Sequence, residues 1–163
     1  MQMIAEDFKI VPVLSDLDLS GTDATMPGDS INMKSFHRAC FLVNLQTLAG
    51  ASAVCKVFSG ATDGALTSAL TFRYAFTTAT KGGTDADVLL AWTAASSVTL
   101  THGTYDNFML VIDILASEMD TANNEEWLTI DFQDPDTGAT GNLSVVAILT
   151  PRYPGNCSVT ALV

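Results

Sequence analysis

From residue 30 onward, apolar and polar residues alternate in short segments that are separated by turn residues. In the clearest segment, Leu70, Phe72, Tyr74 and Phe76 share one face of a predicted strand. Such period-two alternation is typical of a half-buried β-strand. The other predicted strands cover residues 40–47, 52–59, 88–93, 97–101, 107–115, 127–133 and 142–150.

These segments predict an all-β protein, namely a β-sandwich of jelly-roll-like type with a β-barrel as the alternative. Residues 107–115 are almost continuously apolar, which favours a place at the centre of a sheet. No segment has the apolar spacing of an amphipathic helix, and residues 116–120 suit a single helical turn. The sequence therefore indicates two packed layers of strands without helical cover.

The first 29 residues differ from the rest because they carry six of the 18 acidic residues and two of the prolines. Within them, residues 8–14 resemble an edge strand, since Pro12 has no N–H to donate to a neighbour. We interpret residues 1–29 as an extended N-terminal arm and residues 30–163 as the sandwich domain. A loosely tethered terminus is the alternative. The residues of this arm that we expect to bind a partner are Phe8, Ile10, Val11, Val13 and Leu14.

Composition places the chain among compact proteins with few charges. Its 163 residues are 48% hydrophobic and only 15% charged, which is the size and content of one well-buried domain. The net charge of −11 argues against nucleic acid and against a membrane surface as partners, since both are bound by clustered Lys and Arg. We see no run of apolar residues long enough to span a bilayer and no signal peptide at the N-terminus.

No motif in the sequence predicts catalysis, a cofactor or a metal site. Cys40, Cys55 and Cys157 fit no zinc or redox spacing, and we expect all three to be reduced, with one disulfide as the alternative. His37 and His102 stand without a nucleophile motif, which favours surface histidines. Residues 134–138 have acids at the spacing of a calcium loop but lack its glutamate, so we predict a hairpin turn. We therefore expect a protein that is not an enzyme.

Asp113 is the one charged residue inside the apolar run 107–115. Burial of an unpaired carboxylate is costly, so Asp113 needs either a partner or an exposed face. The candidate partners are Arg38, Arg73 and Arg152, and the pattern favours an ion pair on a strand face over an acid catalyst.

Four segments resemble small virion-associated proteins of tailed bacteriophages. The resemblance rests on the order of strands and turns across most of the chain and on no catalytic fingerprint. The segments are residues 33–43, residues 69–74, residues 110–114 leading into 126–130, and residues 146–153.

The resemblance implies a structural virion protein, of the capsid decoration or head-cement type, on the capsid exterior. It implies the major capsid protein as partner, self-association as a homotrimer, and residence in the host cytoplasm before assembly. Two alternatives are a tail or head–tail connector subunit and a carbohydrate- or receptor-binding β-sandwich module. In the latter, Trp92, Tyr105 and Trp127 are the candidate stacking residues.

Overall fold

The computed structural model describes residues 4–20, 25–153 and 161–162, and these residues form fourteen β-strands. One helical turn, α1 (Ile4–Asp7), precedes the first strand, and two short 3-10 helices cover Ala116–Glu118 and Thr121–Asn123. In chain order the strands are β1 (Lys9–Asp18), β2 (Met26–Pro27), β3 (Ile31–Asn32), β4 (Phe36–Leu45), β5 (Ala49–Gly50), β6 (Ala53–Gly60), β7 (Ser68–Ala69), β8 (Phe72–Phe76), β9 (Thr93–Ala95), β10 (Val98–Leu100), β11 (Met109–Leu115), β12 (Trp127–Gln133), β13 (Ala139–Thr140) and β14 (Asn142–Pro151).

Two antiparallel sheets account for most of these strands. Sheet A has the order β1-β14-β4-β11-β8-β9, and sheet B has the order β10-β6-β12-β2 with β3 also on β12 and β7 also on β6. A third, two-stranded sheet joins β13 to β5. From β4 to β14 the chain passes repeatedly between the two sheets, since β4, β8, β9, β11 and β14 lie in sheet A and the intervening β6, β10 and β12 lie in sheet B. This alternation is the connectivity of a jelly roll, so the predicted all-β sandwich is confirmed.

The core lies between the two sheets, where the inward side chains of both form one continuous cluster. Phe41 of β4, Ile112 of β11 and Phe132 of β12 are fully buried in it. Because side chains alternate across a strand, each of these residues is flanked by outward-facing neighbours. The cluster thereby fixes which face of each strand points inward.

The long strands agree with the sequence pattern, and the differences are local. β12 spans the predicted residues 127–133, β11 lies fourth of six strands in sheet A, and a 3-10 turn follows it as predicted. Residues 88–93 differ, because only Leu89 forms a bridge there, with Thr77, and β9 begins at Thr93. The two-residue strands β2, β3, β5, β7 and β13 are too short to show alternation in the sequence.

Within the segment predicted as an arm, residues 9–18 are extended, and they dock on the sandwich of their own chain. β1 pairs with β14 at one edge of sheet A, and β2 pairs with β12 of sheet B. Val11, Val13, Leu19 and Met26 are buried in the shared core. Residues before and after position 30 thus contribute to one core, and the pairing partners lie more than a hundred residues away in the chain.

The predicted turn forms at residues 134–138, and two of the three cysteines lie within the described residues. Residues 134–138 form a turn in which the Asp134 Oδ2 atom accepts a hydrogen bond from the Ala139 N–H at 2.9 Å. Cys40 and Cys55 form no disulfide with each other, and Cys157 lies outside the described residues. Burial raises the pKa of the Cys55 thiol well above its usual range, which disfavours the reactive thiolate.

Candidate interaction surfaces

The five residues predicted to bind a partner point in two directions. Val11 and Val13 are buried against the chain's own core, and Leu14 is half-buried beside it. Phe8 and Ile10 are exposed, with Ile10 keeping 50% of its surface accessible. Only Phe8 and Ile10 are therefore free to anchor a partner without unfolding β1.

Ile10 belongs to an apolar area on the outer face of sheet A. In the strand register, Ile10 pairs with Ile148, and Pro12 pairs with Val146, which in turn pairs with Leu42 of β4. Ile10, Pro12 and Val146 are exposed, whereas Leu42 and Ile148 are half-buried. We call these five residues the outer patch. Apolar side chains contiguous across three strands are unlike the scattered surface residues of a monomer and are typical of a contact area.

An ion pair lies on the same face, close to the outer patch. The Arg38 Nε donates to Asp113 Oδ1, and the Arg38 Nη2 donates to Asp113 Oδ2 at 2.7 Å. This hydrogen bonding raises the pKa of the Arg38 guanidinium above its ordinary value. Arg73 lies across from Asp113 on β8 but forms no ion pair with it. The predicted strand-face ion pair is therefore confirmed, and Arg38 is the partner.

The opposite edge of sheet A carries a second apolar surface. Val88, Leu90 and Trp92 are each almost half exposed, in a segment that runs along β8 and leads into β9. We call these three residues the edge strip. The apolar run that predicted a strand here leaves these three side chains exposed rather than in the core.

The aromatic residues proposed for carbohydrate stacking do not form one platform. Trp92 lies at the edge of sheet A, whereas Trp127 is the first residue of β12 in sheet B. The Tyr105 ring is stacked on Phe76, with centroids 3.8 Å apart and planes 4° from parallel. One face of Tyr105 is thereby already occupied, so the geometry does not favour the carbohydrate-binding alternative.

Two buried acids near sheet B, Asp131 and Glu125, accept hydrogen bonds within the chain. Asp131 is fully buried, where its Oδ1 accepts from the Met26 N–H at 2.9 Å and its Oδ2 accepts from Gln133 Nε2 at 2.8 Å. Burial raises the pKa of the Asp131 carboxyl, and these two hydrogen bonds oppose that rise. Glu125 accepts hydrogen bonds from the hydroxyls of Ser59 and Ser68, at 2.5 and 3.0 Å. These contacts link separate segments of the sandwich.

The two histidines are separate and exposed. His37 borders an open depression at one end of the sandwich, together with Ser117 and Arg152, and His102 lies in the loop after β10. Over residues 4–20, 25–153 and 161–162, no three His, Cys, Asp or Glu side chains are grouped so as to hold a metal ion. No helix in this part of the chain is both long and apolar enough to span a bilayer.

Fold and surfaces together define a jelly-roll β-sandwich with two exposed apolar areas at opposite edges of one sheet. A solved structure to which the chain is similar is that of the SPBc2 prophage-derived protein YomS, with a TM-score of 0.41 and 14% sequence identity. The similarity covers 85% of this chain and 94% of YomS. No protein family matches the chain, and no curated protein matches it. Similarity this low transfers no property of YomS to this chain.

Proposed function

We propose that this chain is a structural virion protein that binds the outside of a bacteriophage capsid and stabilises it. The observation that carries the proposal is the outer patch, an apolar area on a rigid sheet of an otherwise acidic molecule. The resemblance of the sequence to small virion proteins of tailed phages supplies the partner, the major capsid protein. A tail or head–tail connector role is the alternative within the same class.

The outer patch has the properties that lattice binding requires. Ile10 and Val146 keep 50% and 36% of their surface exposed, and they stand on adjacent paired strands. Burial of such side chains yields roughly 25 cal/mol per Å² of apolar area. The net charge of −11 opposes non-specific contacts, so that binding depends on a complementary surface.

The role of residues 1–29 in binding is better tested by single substitutions than by deletion. A deletion of residues 1–29 removes β1 and β2 from the two sheets and takes Val11 and Val13 out of the core. Lost binding by that deletion would therefore report unfolding as readily as a lost contact. Single substitutions of outward-facing residues separate the two effects.

We expect Ile10→Glu and Val146→Glu each to weaken binding to purified capsid shells by about tenfold or more, since each places a charge in an apolar contact. The measurement is a co-sedimentation titration with purified protein. The matched control is Thr99→Glu, which adds the same charge at an exposed strand position of sheet B. Circular dichroism melts verify that all three variants fold.

Two results would count against this role. Equal binding by Ile10→Glu, Val146→Glu and Thr99→Glu would remove the outer patch from the contact. If the unmodified protein does not bind the shells of its own phage, the capsid is excluded as its binding partner.

A further inference from the structure

The edge of sheet A at residues 88–95 presents backbone groups without a neighbouring strand. The Thr78 N–H donates to the Val88 carbonyl, and the Leu90 N–H donates to the Phe76 carbonyl, both at 2.8 Å. These two bonds flank the Thr77–Leu89 bridge, so Leu89 is in a non-hydrogen-bonded position relative to β8. Its own N–H and C=O therefore point away from β8, toward the free side of the sheet.

Nothing within the described residues covers this edge. Val88, Leu90 and Trp92 keep 48%, 49% and 48% of their surface exposed. Of residues 88–94, Leu89 alone is half-buried and the others are exposed. An open edge with apolar side chains is a template for pairing with another strand.

The edge also lacks the features that normally prevent such pairing. Exposed edge strands are usually protected by charged residues or proline. The sequence has no Asp, Glu, Lys, Arg or Pro between Asp87 and Asp106. The other edge of sheet A is protected, because β1 contains Pro12 and begins with Lys9 and ends with Asp18.

We propose that a second copy of this chain pairs with this edge, antiparallel and across a two-fold axis, so that the two A sheets become one continuous sheet. An axis near Leu90 brings the edge strip of one copy against the edge strip of the other. Backbone hydrogen bonds then use the outward groups of Leu89, and the three apolar side chains of each copy lose contact with water.

A second copy fits this edge because antiparallel pairing about Leu90 sets uncharged, apolar residues against their own equivalents. Two molecules that each carry a net charge of −11 repel each other, and they approach at least cost where neither surface bears charge. The segment between Asp87 and Asp106 is the longest stretch of this chain without Asp, Glu, Lys or Arg. Raised salt screens the remaining repulsion, so we expect it to strengthen the dimer.

The test is sedimentation equilibrium of the full chain over a range of concentrations. We expect a reversible dimer in the unmodified protein and an apparent dissociation constant about tenfold weaker or more for Leu90→Arg, which places two like charges near the axis. The matched control is Ile10→Arg, at 50% exposure beside the other edge of the same sheet, and we expect it to leave the dimer unchanged.

The folding of each variant and the position of the dimer contact are checked in the same samples. Circular dichroism melts show whether each variant is folded, and hydrogen exchange at high and low concentration reports the amide of Leu89. We expect that amide to exchange more slowly as the dimer forms. A conservative variant, Leu90→Met, is expected to retain the dimer if the substitution to Arg acts through the contact.

Four outcomes would overturn the proposal. They are a monomer at every concentration, a trimer as the resemblance implies, equal weakening by Ile10→Arg and Leu90→Arg, and protection of Leu89 only after capsid shells are added. The capsid-binding proposal rests on the outer patch at the opposite edge, and its test is the shell titration. Failure of the dimer proposal is therefore distinguishable from failure of the capsid-binding proposal.

Discussion

Replacement of Phe41 by alanine should lower the free energy of unfolding by about 3–5 kcal/mol, as expected for truncation of a fully buried aromatic residue. Phe41 lies on β4, the third strand of sheet A, and its ring is fully buried in the core. This loss of stability has two parts, namely the lost free energy of burying the ring and the cost of the cavity that is left between the sheets. Urea unfolding followed by circular dichroism measures it, provided that the denaturant slope stays constant.

The control for Phe41 is its neighbour in the same strand. Leu42 is half-buried on the outer face, so Leu42→Ala should cost about 1 kcal/mol, because less apolar area is lost and no internal cavity forms. A one-residue shift of register would exchange the two faces of β4. Equal losses, or a larger loss for Leu42→Ala, would contradict the register of sheet A.

Replacement of Gly50 by alanine should cost more than the same change at Gly64, by about 1–3 kcal/mol of local strain. Both glycines have a left-handed backbone, with φ of +75° and +73°. A Cβ atom on Gly50 would lie 2.0 Å from the carbonyl oxygen of Gly138, whereas one on Gly64 meets nothing within 4 Å. Both substitutions therefore carry the cost of a left-handed backbone, and only the substitution at Gly50 adds a steric clash.

Thermal and urea unfolding of the two glycine variants provide the comparison. We expect Gly64→Ala to cost about 1 kcal/mol for its left-handed backbone alone. The extra loss at Gly50 measures the close approach of β5 and β13, which joins the turn at residues 134–138 to the rest of the molecule. The same loss in both variants would mean that this approach does not form in solution.

The sandwich was predictable because its long strands repeat a simple rule. A buried residue at every second position, as in Leu128, Ile130 and Phe132, is visible without knowledge of the partner strand. The sheet order was not predictable, since β1 and β14 meet across most of the chain length. Acidic residues and Pro12 suggested an arm, but long-range pairing and the burial of Val11 and Val13 attach that segment to its own core.

The interaction surfaces were predictable only in part. Alternation in β1 implies that neighbouring residues face opposite ways, which is why Ile10 is exposed whereas Val11 and Val13 lie in the core. The edge strip was visible as an apolar run at residues 88–92, but sequence alone does not show whether such a run is covered. Asp113 was correctly expected to have an arginine partner, and its choice of Arg38 depends on the pairing of β11 with β4.

The central claim is that this chain is a structural component of the capsid surface, and its copy number in purified particles tests it most directly. Quantitative mass spectrometry of particles of the encoding phage gives the ratio of this chain to the major capsid protein. We expect a ratio comparable to that of the capsid protein, as for a repeated surface lattice. A number near that of a single ring would instead indicate a tail or connector subunit. Absence from the particle would contradict the structural role altogether.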